Sequence, residues 1–141
     1  MTVTSTDETL HNTSRKYIIW NKDNKVGDFM SKEKLDAIFK EVVINTTKIF
    51  GDKLVAVILY GSYARGDYST DSDIDIALLV DMDRISLKKY DDLLVSQMTY
   101  FMLEHDVLIS FNDIPVKEFE EYKDVLPYYR NIVEEGVRLI A

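Results

Sequence analysis

Residues 54–60, LVAVILY, are seven consecutive apolar residues, rich in β-branched side chains and closed by Gly61. A run of this length is too short for an ordinary helix, and with no polar alternation it has no face to give to water. It therefore reads as a strand buried on both sides. That one demand sets the architecture, because a sheet covered on both faces needs helices in two layers.

The flanking sequence predicts those helices. Ser31 suits an N-cap, with Glu33 in the first turn. Leu35, Ile38, Phe39, Val42, Thr46, Ile49 and Phe50 recur at helical spacing, so 32–50 reads as an amphipathic helix that Gly51 ends. A second strand is expected over 73–80, with Ile74 and Ile76 on one face and Asp73 and Asp75 on the other, by the two-residue strand period. A helix over 86–102 and a third strand over 105–111, HDVLISF, follow. Pro115 and Pro127 each open a short helix, the second ending near Gly136, and VRLI closes the chain as an extended tail. The order predicts an α/β (α+β) fold: a small mixed β-sheet with flanking helices. Residues 31–141 read as one domain. Residues 1–30 read as an N-terminal extension, partly flexible, with KYIIW at 16–20 as an apolar run able to add a strand or dock on a partner.

Composition narrows the classes of function. The net charge of −8 and the scattered lysines and arginines argue against direct nucleic-acid binding, which draws its affinity from phosphate neutralisation. No apolar run approaches the ~18 residues that would span a bilayer, and the N-terminus has no signal-peptide core. With no cysteine there is no disulfide or thiolate metal site, which suits a cytoplasmic protein.

The chemistry concentrates in YGSYARGDYSTDSDIDIALLV, residues 60–80. Two carboxylates at i and i+2 on one strand face have Cα atoms roughly 6–7 Å apart, which lets both reach a shared divalent cation. Asp106 is the natural third ligand if the third strand pairs beside 73–80. Such an all-oxygen set suits Mg²⁺, and two ions would clamp the attacking and leaving oxygens of a phosphoryl or nucleotidyl transfer. Gly61 lets phosphate approach the backbone closely. Ser62 and the free N–H groups of a helix start beyond it form an anion site. DSDID at 71–75 imitates the opening of an EF-hand. That loop needs Gly at its sixth position and Glu at its twelfth, where this chain has Ile76 and Met82.

Gly61-Ser62, ten residues, then Asp73-x-Asp75 resembles the GSx₁₀DxD signature of the DNA polymerase β-like nucleotidyltransferase superfamily. The fuller stretch, with ARG at 64–66, resembles its minimal nucleotidyltransferase (MNT) group. The likeness covers about residues 31–141 and includes Asp106 in HDVLIS and the closing YYRNIVEEGVRLI. It implies the polymerase β-like fold, ATP as donor, two Mg²⁺ ions and transfer of AMP to an acceptor hydroxyl. Asp73 and Asp75 would ligate metal, Asp106 would help to activate the acceptor oxygen, and Gly61 and Ser62 would position the β- and γ-phosphates. It also implies a biological role. MNT proteins act as antitoxins that adenylylate tyrosine on a HEPN-domain ribonuclease toxin.

Several residues keep two readings. Arg65 can hold phosphate beside the anion site, or pair with Asp67 or Asp71 and fix the loop. Tyr63 reads as half-buried, and His105 as structural, facing away from Asp106 across its strand. An antitoxin that neutralises by contact alone and a small-molecule nucleotidyltransferase are the competing functions. The chain is too short for an added acceptor domain, so a homodimer or a hetero-oligomeric partner must supply that surface. Tyr122, Tyr128 and Tyr129 are candidates for the apolar partner face.

Overall fold

A computed structural model describes residues 30–140. The KYIIW run and the rest of the N-terminal extension, residues 1–29, lie outside the described residues.

Helix α1 spans Lys32–Phe50. Ser31 caps it, its side chain accepting from the Lys34 N–H at 3.0 Å, a bond of the kind that stabilises a helix by about 1 kcal/mol. Gly51 ends it at φ 62°, with its N–H donating to the Thr47 carbonyl. After a 3₁₀ turn at Gly51–Lys53 comes β1, Leu54–Tyr60. A one-turn helix α2, Ser62–Arg65, leads to β2, Ile74–Val80. Helices α3, Arg84–Lys88, and α4, Asp91–His105, occupy the region predicted as one helix, and Asp83 caps α3 by accepting from the Ser86 N–H at 2.7 Å. Strand β3, Ile109–Pro115, helices α5, Val116–Tyr122, and α6, Pro127–Glu135, and strand β4, Val137–Ile140, complete the chain.

The four strands lie in the order β3-β2-β1-β4. β1 runs antiparallel to both β2 and β4, while β2 and β3 are parallel. The VRLI segment expected as a tail is thus the second neighbour of β1. The sheet is buried on both faces, as LVAVILY requires. Val57 and Leu59 of β1 join α1, Leu94 and Phe101 in one core. Ala56, Ile58 and Tyr60 pack on the opposite face with Phe119, Tyr129 and Ile132 of α5 and α6. The mixed sheet with flanking helices matches the predicted α/β class.

One boundary departs from the sequence reading in a way that matters. The segment 105–111 is not all strand: α4 continues through His105, and β3 begins only at Ile109. Asp106 ends the helix in the left-handed conformation, φ 57°, its N–H donating to the Met102 carbonyl at 3.0 Å. Aspartate tolerates that conformation better than most residues, and a helix end needs its last carbonyls satisfied. His105 belongs to the last turn of α4, where its Nε2 lies 2.7 Å from Glu41 Oε1 of α1.

Candidate active site

β1 delivers Gly61 and β2 delivers Asp75 to the same corner. Tyr60 and Asp75 are cross-strand partners, so the turn after β1 sits against the start of β2. Gly61 takes φ 76°. A Cβ built on it would lie 2.3 Å from Asp75 Oδ2, so this carboxylate occupies the volume that any other side chain would need. The Gly61 carbonyl then accepts from the N–H groups of Ala64 and Arg65, both at 3.0 Å, which tightens the first turn of α2 around Ser62.

Asp73 lies in the turn just before β2 and Asp75 inside the strand. Burial pushes the Asp75 carboxyl above the usual aspartate range, the Asp73 charge pushes it further, and Arg65 opposes both. Two close carboxylates, one of them desolvated, form a hard-oxygen donor set whose repulsion a divalent cation would relieve. On the chemistry of the donor set the pair fits Mg²⁺.

Asp106 does not join this pair in the expected way. Its helix cap places it at a cavity on the α1/α4 side, bordered also by Asp73 and Tyr63. Asp75 stands on the opposite face of the sheet, in line with Ala77 and Leu79 of the α5/α6 core. Among the described residues no group of three or more acidic or imidazole side chains could hold a metal ion. Parallel pairing sets Ser110 beside Asp75 and Asn112 beside Ala77, so β3 offers uncharged side chains along that face.

Arg65 forms ion pairs with Asp67 at 3.2 Å and with Glu135 of α6 at 3.1 Å. The loop-fixing partner was legible from its two-residue spacing. Glu135, seventy residues away, was not. Tyr63 is 3% exposed and stacks on Tyr68 with ring centroids 4.1 Å apart, so it is core, more buried than the sequence suggested. Sequence reasoning missed a polar row beside Asp75. Asn112 Nδ2 donates to the Tyr60 hydroxyl at 2.6 Å, and that hydroxyl lies 2.7 Å from the hydroxyl of Tyr128 in α6. Burial, then Tyr128 and Asp75, push the Tyr60 hydroxyl above the ordinary tyrosine range. Only cross-strand register could have revealed this row.

The family model described as polymerase beta, nucleotidyltransferase, matches residues 33–140. A protein of Methanocaldococcus jannaschii, MJ0604, provisionally named a protein adenylyltransferase, is 33% identical over 107 residues, 76% of this chain and 96% of its own length. A second from the same organism, MJ0141, with the same provisional name, is 40% identical over 73 residues, 52% of this chain and 72% of its own. A crystal structure of a toxin-antitoxin with AMP-PNP has a TM-score of 0.45, at 21% identity over 73% of each chain.

Proposed function

The chain belongs to the polymerase beta nucleotidyltransferase family, and on that premise we propose that it transfers AMP from ATP to a hydroxyl of a partner protein. The preferred acceptor is a tyrosine of a HEPN-domain toxin, which makes the chain an antitoxin. The observation that carries the proposal is that Asp75 Oδ2 lies 2.3 Å from where a Cβ on Gly61 would stand, which brings the Gly-Ser turn and Asp75 into one corner. The relatives named protein adenylyltransferases support AMP as the group moved and protein as the acceptor. The likeness of residues 60–80 to the MNT group supports the toxin partner.

In this reading Gly61 and Ser62 hold the β- and γ-phosphates at the start of α2, where glycine lets phosphate approach the backbone and the Ser62 hydroxyl can donate to it. Asp73 and Asp75 hold the Mg²⁺ ions. When bound, such ions would neutralise phosphate charge and polarise the reacting phosphorus–oxygen bonds. The acceptor oxygen forms a bond to the α-phosphorus, the bond from that phosphorus to the bridging oxygen breaks, pyrophosphate leaves, and the hydroxyl proton passes to solvent. Arg65 lies within electrostatic reach of Asp75 and is braced by Asp67 and Glu135. We assign it to fixing the turn rather than to gripping phosphate.

Incubation with ATP labelled on its α-phosphate, Mg²⁺ and the product of the adjacent gene tests this. Label should appear on that partner and vanish with Asp73→Asn. Full neutralisation of the partner by Asp73→Asn without label transfer would establish the contact-only antitoxin instead.

A further inference from the structure

Helix α4 buries little of its apolar surface. Only Leu94 and Phe101 of its residues are buried. Val95 and Met102 stand 58% and 45% exposed, and Leu103 78%. Val95, Met98 and Met102 recur at i, i+3 and i+7, so they share one face, and Leu108 continues it beyond the helix end beside Met102. A helix with apolar side chains outside its core stripe is normally covered by something. The two ends of this face are acidic. Asp91 and Asp92 stand one turn before Val95, Asp106 caps the far end, and α4 contains no lysine or arginine.

The chain enters the described residues at Met30, which is buried and borders the same cavity as Met102 and Leu108. The sequence just upstream has the complementary pattern. In residues 15–25, RKYIIWNKDNK, four apolar residues from Tyr17 to Trp20 follow Arg15 and Lys16 and precede Lys22 and Lys25. We propose that residues 15–25 dock on α4 of the same chain, running in its direction, with YIIW over Val95, Met98 and Met102. Arg15 and Lys16 then meet Asp91 and Asp92, and Lys22 meets Asp106. The lengths agree. From Asp92 to Asp106 the helix rises about 21 Å, and from Lys16 to Lys22 an extended chain reaches about 20 Å. From Lys22 to Met30 it can span up to about 28 Å, ample for the return. So short a tether holds the segment at an effective concentration on the order of millimolar, which favours the chain's own α4 over that of a second copy. The proposal does not draw on the nucleotidyltransferase chemistry. Any macromolecule that seats on this face of α4 must first displace the segment.

Trp20 is the single tryptophan of the chain, so its fluorescence reports the contact directly. In the full chain its emission should be blue-shifted, and its quenching by acrylamide weaker, relative to the urea-unfolded chain, at every protein concentration. Val95→Glu and Met98→Glu place a charge at exposed positions, so the fold survives them, which circular dichroism verifies. Each should shift the emission to the red and raise quenching toward the unfolded value. Val133→Glu, at an exposed position of α6, should leave both unchanged. Full quenching in the natural chain overturns the proposal. So does a protected Trp20 that ignores Val95→Glu and Met98→Glu, or one that responds equally to Val133→Glu. Protection lost on dilution makes a second copy the occupant and overturns it as well.

Discussion

Gly61→Ala separates two costs that the structure keeps distinct. Gly61 sits at φ 76° and Gly51 at φ 62°, so alanine strains the backbone at both, by about 1–3 kcal/mol. At Gly51 nothing lies within 4 Å of the added methyl, and strain is the whole penalty. At Gly61 the methyl meets Asp75 Oδ2 at 2.3 Å and Asp75 Cγ at 3.2 Å, so the carboxylate must move by roughly 1 Å to restore normal contact. A displacement of that size at a reacting centre costs about 10²-fold in rate. The two variants should therefore melt within a few degrees of each other, each several degrees below the natural chain. Their activities should diverge: Gly51→Ala keeps transfer within a factor of two or so, and Gly61→Ala loses about 10²-fold. Thermal melts and transfer of labelled AMP, run on the same preparations, make the comparison. Equal activity in the two variants would refute the claim that the Gly61–Asp75 contact sets the site.

Asp75→Asn should raise the melting temperature of the metal-free chain at pH 7. With its carboxyl raised, the native state holds a proton that the unfolded chain has lost. Stability therefore falls as pH climbs from the ordinary aspartate value of 3.8 through the elevated folded value. The advantage of the variant should disappear below pH 3.8, and melts across that range check the sign. Arg65→Gln removes two solvent-screened ion pairs and should leave the melting temperature nearly unchanged. It also removes the cation that lowers Asp75, so the acid limb of the pH–rate profile should move to higher pH. Phe101→Ala should cost about 3–5 kcal/mol in a urea titration, because Leu94 and Phe101 are the buried residues that anchor α4.

The bounds of α1 and β1 are legible in the sequence because local signals agree there: a serine cap, a helical stripe, a glycine stop and a seven-residue apolar run. The turn and the acid pair are legible for a similar reason, since their chemistry lies within fifteen residues of continuous chain. Asp106 misleads because two signals overlap. The apolar VLISF pulls the strand forward, while the helix before it needs an end, and the end takes His105 and Asp106. The uncharged Ser110 and Asn112 beside β2, and the Tyr60–Tyr128 and Arg65–Glu135 contacts, depend on register and on helix docking. No stretch of adjacent residues encodes those.

Helix α6 is fastened to the corner around Gly61 and Asp75 at both ends, by Tyr128 to Tyr60 and by Glu135 to Arg65. The two fastenings span 68 and 70 residues of sequence. On a ribosome the Gly-Ser turn and its aspartates emerge long before either clasp can close. A nascent chain therefore carries the complete signature before the corner around Gly61 and Asp75 is braced, and that bracing waits for α6.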